Sequence, residues 1–413
     1  GQNVVIDLNG YTIEKNARAT YGDWSNVCTD IIGNYGTLEI KDSAGTNGTI
    51  KGRGYISCGG AVLHNYENGV MTVGAVNVDG NAAGMAKGTG QYVIANDGGK
   101  TTINGTNVYD TVTADASLVV NTAGEMTITG NATLNHPAAK AINVKGGDVV
   151  IESATIISDK YSIYAKGGKT TITGEVTVNG TGKMAVNGGE IVKTADATVG
   201  GVPEGYAWFD NDDGTQSLGK AYAKIGETYY KSLADALDAA NAGDTIVLLD
   251  NAELATIDKS VTIKSADGKQ FEIKGLKTIG GTGVTLENVY LNLTGTLEIG
   301  GTNTTLTNCT IRAKDLDWEN PPFETGTYNT DPYVYLTKIT GTNVNLTKVA
   351  FDGRPSDGSY FTDMCLAQVT GENVTLKDCT FHEGTYGCAN SAPKGALTLD
   401  GCKFSRIYHD PIE

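Results

Sequence analysis

A short phrase of alternating apolar and polar residues occurs five times in the second half of the chain. In each copy a Leu is followed three positions later by Val or Cys, and five positions later by Leu, Ile or Phe. Alternation of this kind is typical of a β-strand with one buried face. The Leu residues lie 20, 40, 30 and 23 positions apart: Leu286, Leu306, Leu346, Leu376 and Leu399.

Intervals that vary while the phrase stays constant favour a solenoid, in which extra residues leave the coil as loops. We therefore predict an all-β fold of the parallel β-helix type, and we call each copy of the repeat a rung. In such a coil the five Leu side chains lie over one another, about 4.8 Å apart.

The first half carries a looser version of the repeat, in which each copy consists of a strand, a glycine corner and a second strand. Glycine suits corners where the backbone needs a positive φ. The corner glycines lie 30, 25, 23 and 21 positions apart: Gly69, Gly99, Gly124, Gly147 and Gly168. We predict two coils in tandem, with module 1 over residues 1–199 and module 2 over residues 221–413.

Residues 200–220 interrupt both repeats. Aromatic residues and the turn sequence Asn-Asp-Asp-Gly at 211–214 predict a linker with a hairpin. A small helix is predicted next, at about 232–242, because Ser232 can act as its N-cap and Gly243 can end it. An amphipathic helix laid across the open end of a β-helix would cover its unpaired backbone and core.

The opening of module 2 resembles a known group of proteins. Residues 222–249 contain Tyr-Tyr-Lys-Ser-Leu-Ala-Asp-Ala-Leu-Asp-Ala-Ala-Asn-Ala-Gly-Asp-Thr-Ile-Val-Leu-Leu. They are similar to the module opening of pectin-lyase-like, right-handed parallel β-helix surface proteins of bacteria. In that group a segment similar to residues 3–13 follows the opening. The resemblance implies a right-handed coil, and it implies that module 1 has lost an N-terminal cap upstream. It implies little about activity, because the fold serves lyases, hydrolases, adhesins and phage tailspikes.

A net charge of −16 argues against a nucleic-acid or anionic-membrane partner, because both need a basic surface. The acidity is compatible with bound Ca²⁺, and no other cofactor is indicated. No apolar run approaches the roughly 20 residues of a transmembrane helix. The four histidines are too scattered to indicate a zinc site. Together with the resemblance, these features predict an extracellular location, on a cell surface or on a virion.

Seven cysteines are an odd number for an extracellular chain. Three fall in the inward column of module 2 and are predicted to be small apolar fillers: Cys309, Cys379 and Cys402. Cys365 and Cys388 each lie 11 residues before the Leu of their rung, which predicts that they stack. Strand spacing permits a disulfide there, but side chains that point the same way make its torsion difficult. Cys28 with Cys58 is the other candidate pair.

Polar residues follow the last inward residue of successive rungs in module 2. They are predicted to form two outward columns: Arg312, Asp352, His382 and Ser405 in one, and Glu383 and Arg406 in the next. An acid, a histidine and a serine in a row allow a catalytic triad. We favour a simple polar ladder, because adjacent outward side chains on parallel strands point the same way and do not converge.

Carboxylates offer a second route to catalysis. Glycoside hydrolysis needs two acids roughly 5 to 10 Å apart, and pectate-type lyases use bound calcium with a basic Arg. The candidate catalytic residues are Asp352, Asp357, Asp363, His382, Glu383 and Arg354. Arg354 lies in Arg-Pro-Ser-Asp, which lacks the Arg-x-Pro-x-x-Arg motif of pectate lyases. Asp is also an ordinary turn former, which is the simpler explanation for the loop carboxylates.

The insertion at 313–333 carries aromatic side chains suited to stacking on sugar rings. The alternative is a loop that folds its aromatic residues onto the coil. With the basic residues of the columns, the candidate ligand-binding residues are Arg312, Trp318, Tyr328, Tyr333 and Arg406. No metal-binding residues are predicted.

These features predict a non-enzymatic extracellular display or adhesion protein, which presents loops to glycans or to proteins of a host or of the environment. One alternative is a polysaccharide lyase or glycoside hydrolase that works beside Asp352 and Glu383. Another is a phage tailspike or head-fibre component, which would be trimeric.

Overall fold

The computed structural model describes residues 2–14, 30–52, 60–80, 92–110, 117–266, 268–314, 323–328, 331–354, 364–393 and 396–413, without the side chains of 326–328 and 331–333. These residues belong to two compact units, Gly1–Gly219 and Lys220–Glu413. Both units consist mainly of β-strands, and most strand pairs are parallel. The all-β, parallel-sheet part of the prediction is confirmed.

Within the described residues, unit 1 forms one 20-stranded sheet. Its strands are β1 Asn3–Asp7, β2 Thr12–Glu14, β3 Ile32–Asn34, β4 Thr37–Lys41, β5 Thr49–Lys51, β6 Ala61–Asn65, β7 Val70–Val73, β8 Asn77–Asp79, β9 Tyr92–Asn104, β10 Asn107–Tyr109, β11 Ser117–Thr129, β12 Ala132–Asn135, β13 Lys140–Val144, β14 Asp148–Ile157, β15 Tyr161–Ala165, β16 Lys169–Asn179, β17 Lys183–Val186, β18 Glu190–Thr194, β19 Tyr206–Asp210 and β20 Thr215–Lys220.

The corner glycines of unit 1 lie over one another. A Cβ atom on Gly124 would come within 2.2 Å of the carbonyl oxygen of Gly99, and one on Gly147 would come within 2.2 Å of that of Gly124. Gly124 and Gly147 also have φ angles of +76° and +66°, which residues with a side chain rarely adopt. Only glycine lets consecutive rungs approach this closely at the corner.

A ladder of buried asparagine side chains runs beside the apolar core of unit 1. Asn34 Nδ2 donates to Asn65 Oδ1 at 2.7 Å, and Asn65 Nδ2 donates to Asn96 Oδ1 at 3.0 Å. Asn96 Nδ2 continues the ladder to Asn121 Oδ1 at 2.7 Å. The amides also bond to backbone carbonyl oxygens at the glycine corners. These bonds satisfy polar groups that would otherwise destabilise the interior.

A hairpin lies within residues 200–220, at the turn sequence that predicts it. Strands β19 and β20 pair, and the N–H of Gly214 donates to the carbonyl oxygen of Asn211 at 3.1 Å in the turn between them. Strand β20 also pairs with β18 in antiparallel orientation, with Ser217 beside Val192. The hairpin therefore extends the sheet of unit 1.

Unit 2 has one helix among its described residues, α1 Leu233–Ala239. Its strands are β21 Ala223–Ile225, β22 Thr228–Tyr230, β23 Thr245–Leu248, β24 Ala252–Glu253, β25 Thr256–Ile257, β26 Thr262–Ser265, β27 Phe271–Lys274, β28 Thr278–Ile279, β29 Thr285–Glu287, β30 Val289–Asn292, β31 Leu297–Ile299, β32 Thr305–Thr307, β33 Thr310–Arg312, β34 Thr325–Tyr328, β35 Asp331–Tyr335, β36 Thr337–Ile339, β37 Asn345–Thr347, β38 Ala350–Asp352, β39 Met364–Val369, β40 Val374–Lys377, β41 Thr380–Gly384, β42 Tyr386–Asn390, β43 Leu397–Asp400 and β44 Lys403–Ile407.

These strands form three sheets. The first has the order β22-β21-β23-β26-β29-β32-β37-β40-β43, and the second has the order β24-β27-β30-β33-β38-β41-β44. The third contains β25-β28-β31-β36-β39-β35-β34, with β42 paired to β39. From β23 to β33 the chain visits the first, second and third sheets in turn, one strand in each. Each strand of these rungs pairs in parallel with its equivalent one rung away.

The inward columns of unit 2 align as the repeat predicts. The five Leu residues of the first sheet lie in register, one per rung: Leu286, Leu306, Leu346, Leu376 and Leu399. In the second sheet Phe381 stacks between Phe351 and Phe404, with ring centroids 4.8 Å and 4.7 Å apart. Such aromatic pairs add roughly 0.5–1.5 kcal/mol beyond their buried area.

Helix α1 begins where the sequence predicts. The Ser232 side chain accepts a hydrogen bond from the Asp235 N–H at 3.0 Å, which makes Ser232 the N-cap. The apolar face of the helix is buried against the core of unit 2 through Leu233, Ala236 and Leu237.

The predicted end of this helix, at about 242 and before Gly243, was wrong. The helix ends at Ala239, with Ala240 as its C-cap. Lys259 Nζ donates to the carbonyl oxygens of Leu237 at 2.9 Å, Asp238 at 2.6 Å and Ala240 at 3.3 Å. A lysine at this position satisfies the last carbonyl groups, so no further helical turn is needed.

The described cysteines are all free thiols: Cys309, Cys365, Cys379, Cys388 and Cys402. Cys309 and Cys379 lie in the core, where burial raises the pKa of the first thiol to about 11 and of the second to about 12. A thiol with a raised pKa is unreactive, which agrees with the predicted role as an apolar filler.

The prediction that Cys365 stacks on Cys388 was wrong. The register places Cys388 beside Ala367, whereas the next strands of the same rungs align Leu376 with Leu399. The loop of the last rung is therefore two residues longer, so equal sequence spacing does not mean equal position. Cys28 and Cys58 lie outside the described residues.

Candidate functional site

One outward column of the second sheet of unit 2 carries a polar side chain on every strand. We call it the polar column: Glu253, Lys274, Asn292, Arg312, Asp352, His382 and Ser405. The last four align as the repeat predicts. Their neighbours Ile311, Phe351 and Phe381 are fully buried. Because successive residues of a strand point to opposite faces, the column faces outward.

Asp352 is held by Arg354 in a two-pronged ion pair. Arg354 Nε donates to Asp352 Oδ1 at 2.9 Å, and Nη2 donates to Oδ2 at 2.7 Å. Burial raises the pKa of the Asp352 carboxyl, but the hydrogen bonds and charge of Arg354, with the charge of Arg312, outweigh it. The pKa therefore lies below its ordinary value, and the carboxylate is ionised near neutral pH.

Glu383 is paired with an arginine from the next rung. Arg406 Nη1 lies 2.6 Å from Glu383 Oε1, and Glu383 is only 6% exposed. Both residues have a positive φ, 56° for Glu383 and 54° for Arg406. This conformation costs residues with a Cβ atom about 1–2 kcal/mol each. The predicted second column is thus a charge pair at the ends of strands.

His382 and Ser405 converge. His382 Nδ1 lies 2.8 Å from Ser405 Oγ, and His382 Nε2 lies 3.6 Å from Glu383 Oε1. The expectation that adjacent outward side chains do not converge was wrong for this pair. The carboxylate beside the ring is Glu383, since Asp352 is engaged by Arg354. The sequence suggested a triad of Asp352, His382 and Ser405. In the structure the carboxylate that contacts His382 is that of Glu383.

The other end of the polar column borders a cavity of about 480 Å³ beside the start of α1. Glu272, on the same outward face, accepts a hydrogen bond from Asn292 Nδ2 at 2.8 Å and pairs with Lys314. The cavity is lined from the helix and from the second sheet, by residues that include Tyr222, Ser232, Asn251, Glu253, Glu272 and Lys274. The sequence repeat did not indicate this cavity, because part of its wall comes from the helix.

The structure describes the other site residues predicted from the sequence only in part. Asp357, Asp363 and Trp318 lie outside the described residues. Tyr328 and Tyr333 belong to β34 and β35, which pair in antiparallel orientation, but their side chains are not described.

Unit 1 has a separate cluster around His64. Asp30 Oδ2 accepts a hydrogen bond from Tyr66 OH at 2.7 Å, and Asp30 Oδ1 lies 3.2 Å from His64 Nδ1. The Tyr66 ring stacks on His64 at 3.9 Å and on Tyr35 at 4.3 Å. Burial alone would raise the pKa of the Asp30 carboxyl. The hydrogen bonds from His64 and Tyr66 have the larger effect, so the pKa lies below its ordinary value. The repeat does not indicate this cluster, because its members belong to different rungs of the looser repeat.

Across the described ranges, no group of three or more His, Cys, Asp or Glu side chains is arranged to hold a metal ion. In the same ranges no helix combines the length and the apolar character that crossing a membrane requires.

The chain matches no protein-family model, no curated protein and no solved structure. The functional assignment therefore depends on the geometry of the side chains.

Proposed function

We propose that the chain is a right-handed parallel β-helix that serves as a non-enzymatic extracellular display or adhesion protein, binding glycans or proteins on its outer faces. The order in which unit 2 visits its three sheets supports the coil. Parallel strands of one sheet are joined by right-handed connections in nearly all proteins, which supports the hand.

One observation carries the choice of display over catalysis: the two candidate carboxylates among the described residues, Asp352 of the polar column and Glu383 beside it, are each held by an arginine. Arg354 binds Asp352, and Arg406 binds Glu383. A glycosidase needs one carboxyl group with a raised pKa, which stays protonated until it donates its proton to the leaving group. The pKa of Asp352 is lowered instead. Fixed charge pairs suit recognition of a partner better than proton transfer.

The architecture suits display. Each rung lengthens a parallel coil by about 4.8 Å and contacts mainly its neighbours. Loops and outward columns then present side chains at regular spacing, and the polar column follows one such line over seven strands, with Asn292 and Asp352 buried in it. Such repeated presentation fits a long or repetitive partner, such as a glycan.

The test is a cleavage and binding assay with the purified chain and a panel of acidic and neutral polysaccharides. We expect retention of at least one polysaccharide, with no change in its length and no new reducing ends. Cleavage that is lost in Asp352→Asn or Glu383→Gln would overturn the proposal. Glu287→Gln is the matched control, because Glu287 is an exposed carboxylate of the first sheet, outside the polar column.

A polysaccharide-degrading enzyme is the second candidate, favoured by the contact of 2.8 Å between His382 Nδ1 and Ser405 Oγ. A neighbouring base activates a serine hydroxyl as a nucleophile, which would attack ester substituents of a polysaccharide, whereas its glycosidic bonds need a pair of carboxyl groups. In the same assay this candidate requires turnover that disappears in Ser405→Ala and in His382→Ala. A trimeric tailspike or head fibre is the third, and sedimentation of the full chain as a monomer argues against it.

A further inference from the structure

We infer that unit 1 carries a binding site for an acidic sugar unit, in a pocket of about 260 Å³ on the outward face of its sheet. Three lysines, two tyrosines and one asparagine define this Lys–Tyr pocket: Lys140, Lys145, Lys166, Tyr92, Tyr164 and Asn143. The inference rests on the proposed function and deepens it, because it names a site and a ligand class for glycan binding.

Strand register brings these residues together. Tyr92 aligns with Ser117, which aligns with Lys140 on the next strand. Asn143 aligns with Tyr164 one strand further along. The pocket thus spans several rungs at equivalent outward positions, where solenoid proteins usually bind their partners.

The three lysines make the pocket positive in a protein whose net charge is −16. Some other lysines of unit 1 face carboxylates, as Lys100 does with Glu125 at 3.0 Å and Lys169 does with Glu190 at 3.8 Å. Lys140 and Lys145 contact tyrosine side chains. Among the described residues, no carboxylate forms an ion pair with any of the three pocket lysines. An anionic ligand would supply the missing counter-charge.

The tyrosines hold two of these lysines over the pocket. Lys145 Nζ donates to Tyr92 OH at 2.6 Å and lies 4.9 Å from the centre of the Tyr92 ring. Lys140 Nζ lies 5.3 Å from the centre of the Tyr164 ring. Each ammonium group has three N–H donors, so both lysines retain donors for a carboxylate. The rings also offer apolar faces against which a pyranose can pack.

Asn143 independently indicates a ligand. It is only 6% exposed, and its Nδ2 donates to Ser117 Oγ at 2.9 Å. Its Oδ1 is buried and has no hydrogen-bond partner. A buried polar atom without a partner costs about 1–3 kcal/mol. The aligned residue of the preceding strand is Val120, so the position does not need an amide for folding. Asn143 lines the pocket, so a rotation of its side chain would bring Oδ1 to a sugar hydroxyl that donates to it.

These groups select a small polyol that carries an anionic group. The volume of about 260 Å³ lies just below the roughly 300–1,000 Å³ of pockets for drug-sized ligands, which favours one sugar unit of a chain. The lysines would bind its anion, Asn143 its hydroxyl and a tyrosine its ring. A uronate carboxylate and a sugar sulfate share this chemistry.

Calorimetric titration of the full chain tests the inference with three probes: a galacturonate oligomer, a sulfated galactan oligomer and a neutral galactan oligomer. We expect an acidic probe to bind, more weakly as salt rises because the contact is ionic, and the neutral probe to bind at least tenfold more weakly. Tight binding of the sulfated probe alone supports the site with sulfate as its anion. Equal binding of all three probes overturns the inference.

Two variants locate the binding. The double variant Lys145→Ala, Lys166→Ala and the single variant Asn143→Val should each weaken acidic-probe binding about tenfold or more. Asn143→Val inserts the residue of the neighbouring rung, so it should keep the circular-dichroism spectrum of the native chain. Lys169→Ala is the control, since Lys169 lies outside the pocket, and should leave affinity unchanged.

The outcomes separate this inference from the proposed function. Acidic-probe binding that survives both pocket variants but is lost in Arg312→Ala, Arg406→Ala overturns the Lys–Tyr site and leaves glycan display intact. No binding of any probe overturns the site. Cleavage of a probe overturns the proposed function, whichever variants still bind.

Discussion

At the scale of single residues, arginine partners decide what the polar column can do. Counting positions from the repeated phrase was enough to align Asp352 with His382. It was not enough to find the pair between Asp352 and Arg354, or the pair between Glu383 and Arg406. Both pairs form near the ends of strands, and Glu383 and Arg406 also have a positive φ. Side-chain directions there depend on backbone angles that a strand pattern does not contain.

The Asp352 pair predicts a dependence of stability on pH. The pKa of Asp352 is lowered from 3.8 in the folded state. The pair therefore stabilises the protein fully above that value, and this stability is lost as pH falls through the lower folded pKa. We expect Asp352→Asn to lower the free energy of unfolding by about 1–3 kcal/mol at pH 7. The difference in this free energy between the native chain and the variant should become smaller below pH 4.

Urea unfolding at pH 7, 5 and 3 measures this effect. Asp400→Asn is the control, because Asp400 is an exposed carboxylate whose nearest ammonium, that of Lys377, lies 3.9 Å away. Exposed pairs of this kind contribute about 0–1 kcal/mol. A deficit in Asp352→Asn that stays constant from pH 7 to pH 3 would contradict the account.

At the scale of elements, helix α1 shows which boundaries a sequence contains. Its start depends on Ser232, a local signal that the sequence displays. Its end depends on Lys259, which comes from a later loop and binds three carbonyl oxygens. A contact between residues about 20 positions apart is not part of any local capping pattern. The helix was therefore predictable in place and type but not in length.

Lys259→Ala should destabilise unit 2, because it removes the side-chain donor that three carbonyl groups at the end of α1 share and a favourable charge at the helix C-terminus. We expect a loss of about 1–2 kcal/mol in the free energy of unfolding, measured by urea titration. Lys264→Ala serves as the control, since Lys264 lies on a strand outside the contacts of the helix. Equal losses in both variants would exclude the capping role.

At the scale of the whole molecule, the repeat determined most of the fold. The Leu column and the Phe stack follow from counting, because parallel strands pair with equivalent strands of the next rung. The asparagine ladder of unit 1 could not be predicted in this way, because asparagine in a glycine-rich sequence is also a normal turn residue. The Lys–Tyr pocket was missed for a related reason: its residues occupy outward positions, which the apolar pattern does not constrain.

The central claim is that the outer faces of a parallel β-helix bind acidic sugars without cleaving them. The most direct test is a crystal structure of the full chain soaked with a galacturonate trisaccharide. The account predicts a right-handed coil and an intact trisaccharide in the Lys–Tyr pocket, with a carboxylate against Lys145 and Lys166. A cleaved sugar beside His382 and Glu383 would contradict it.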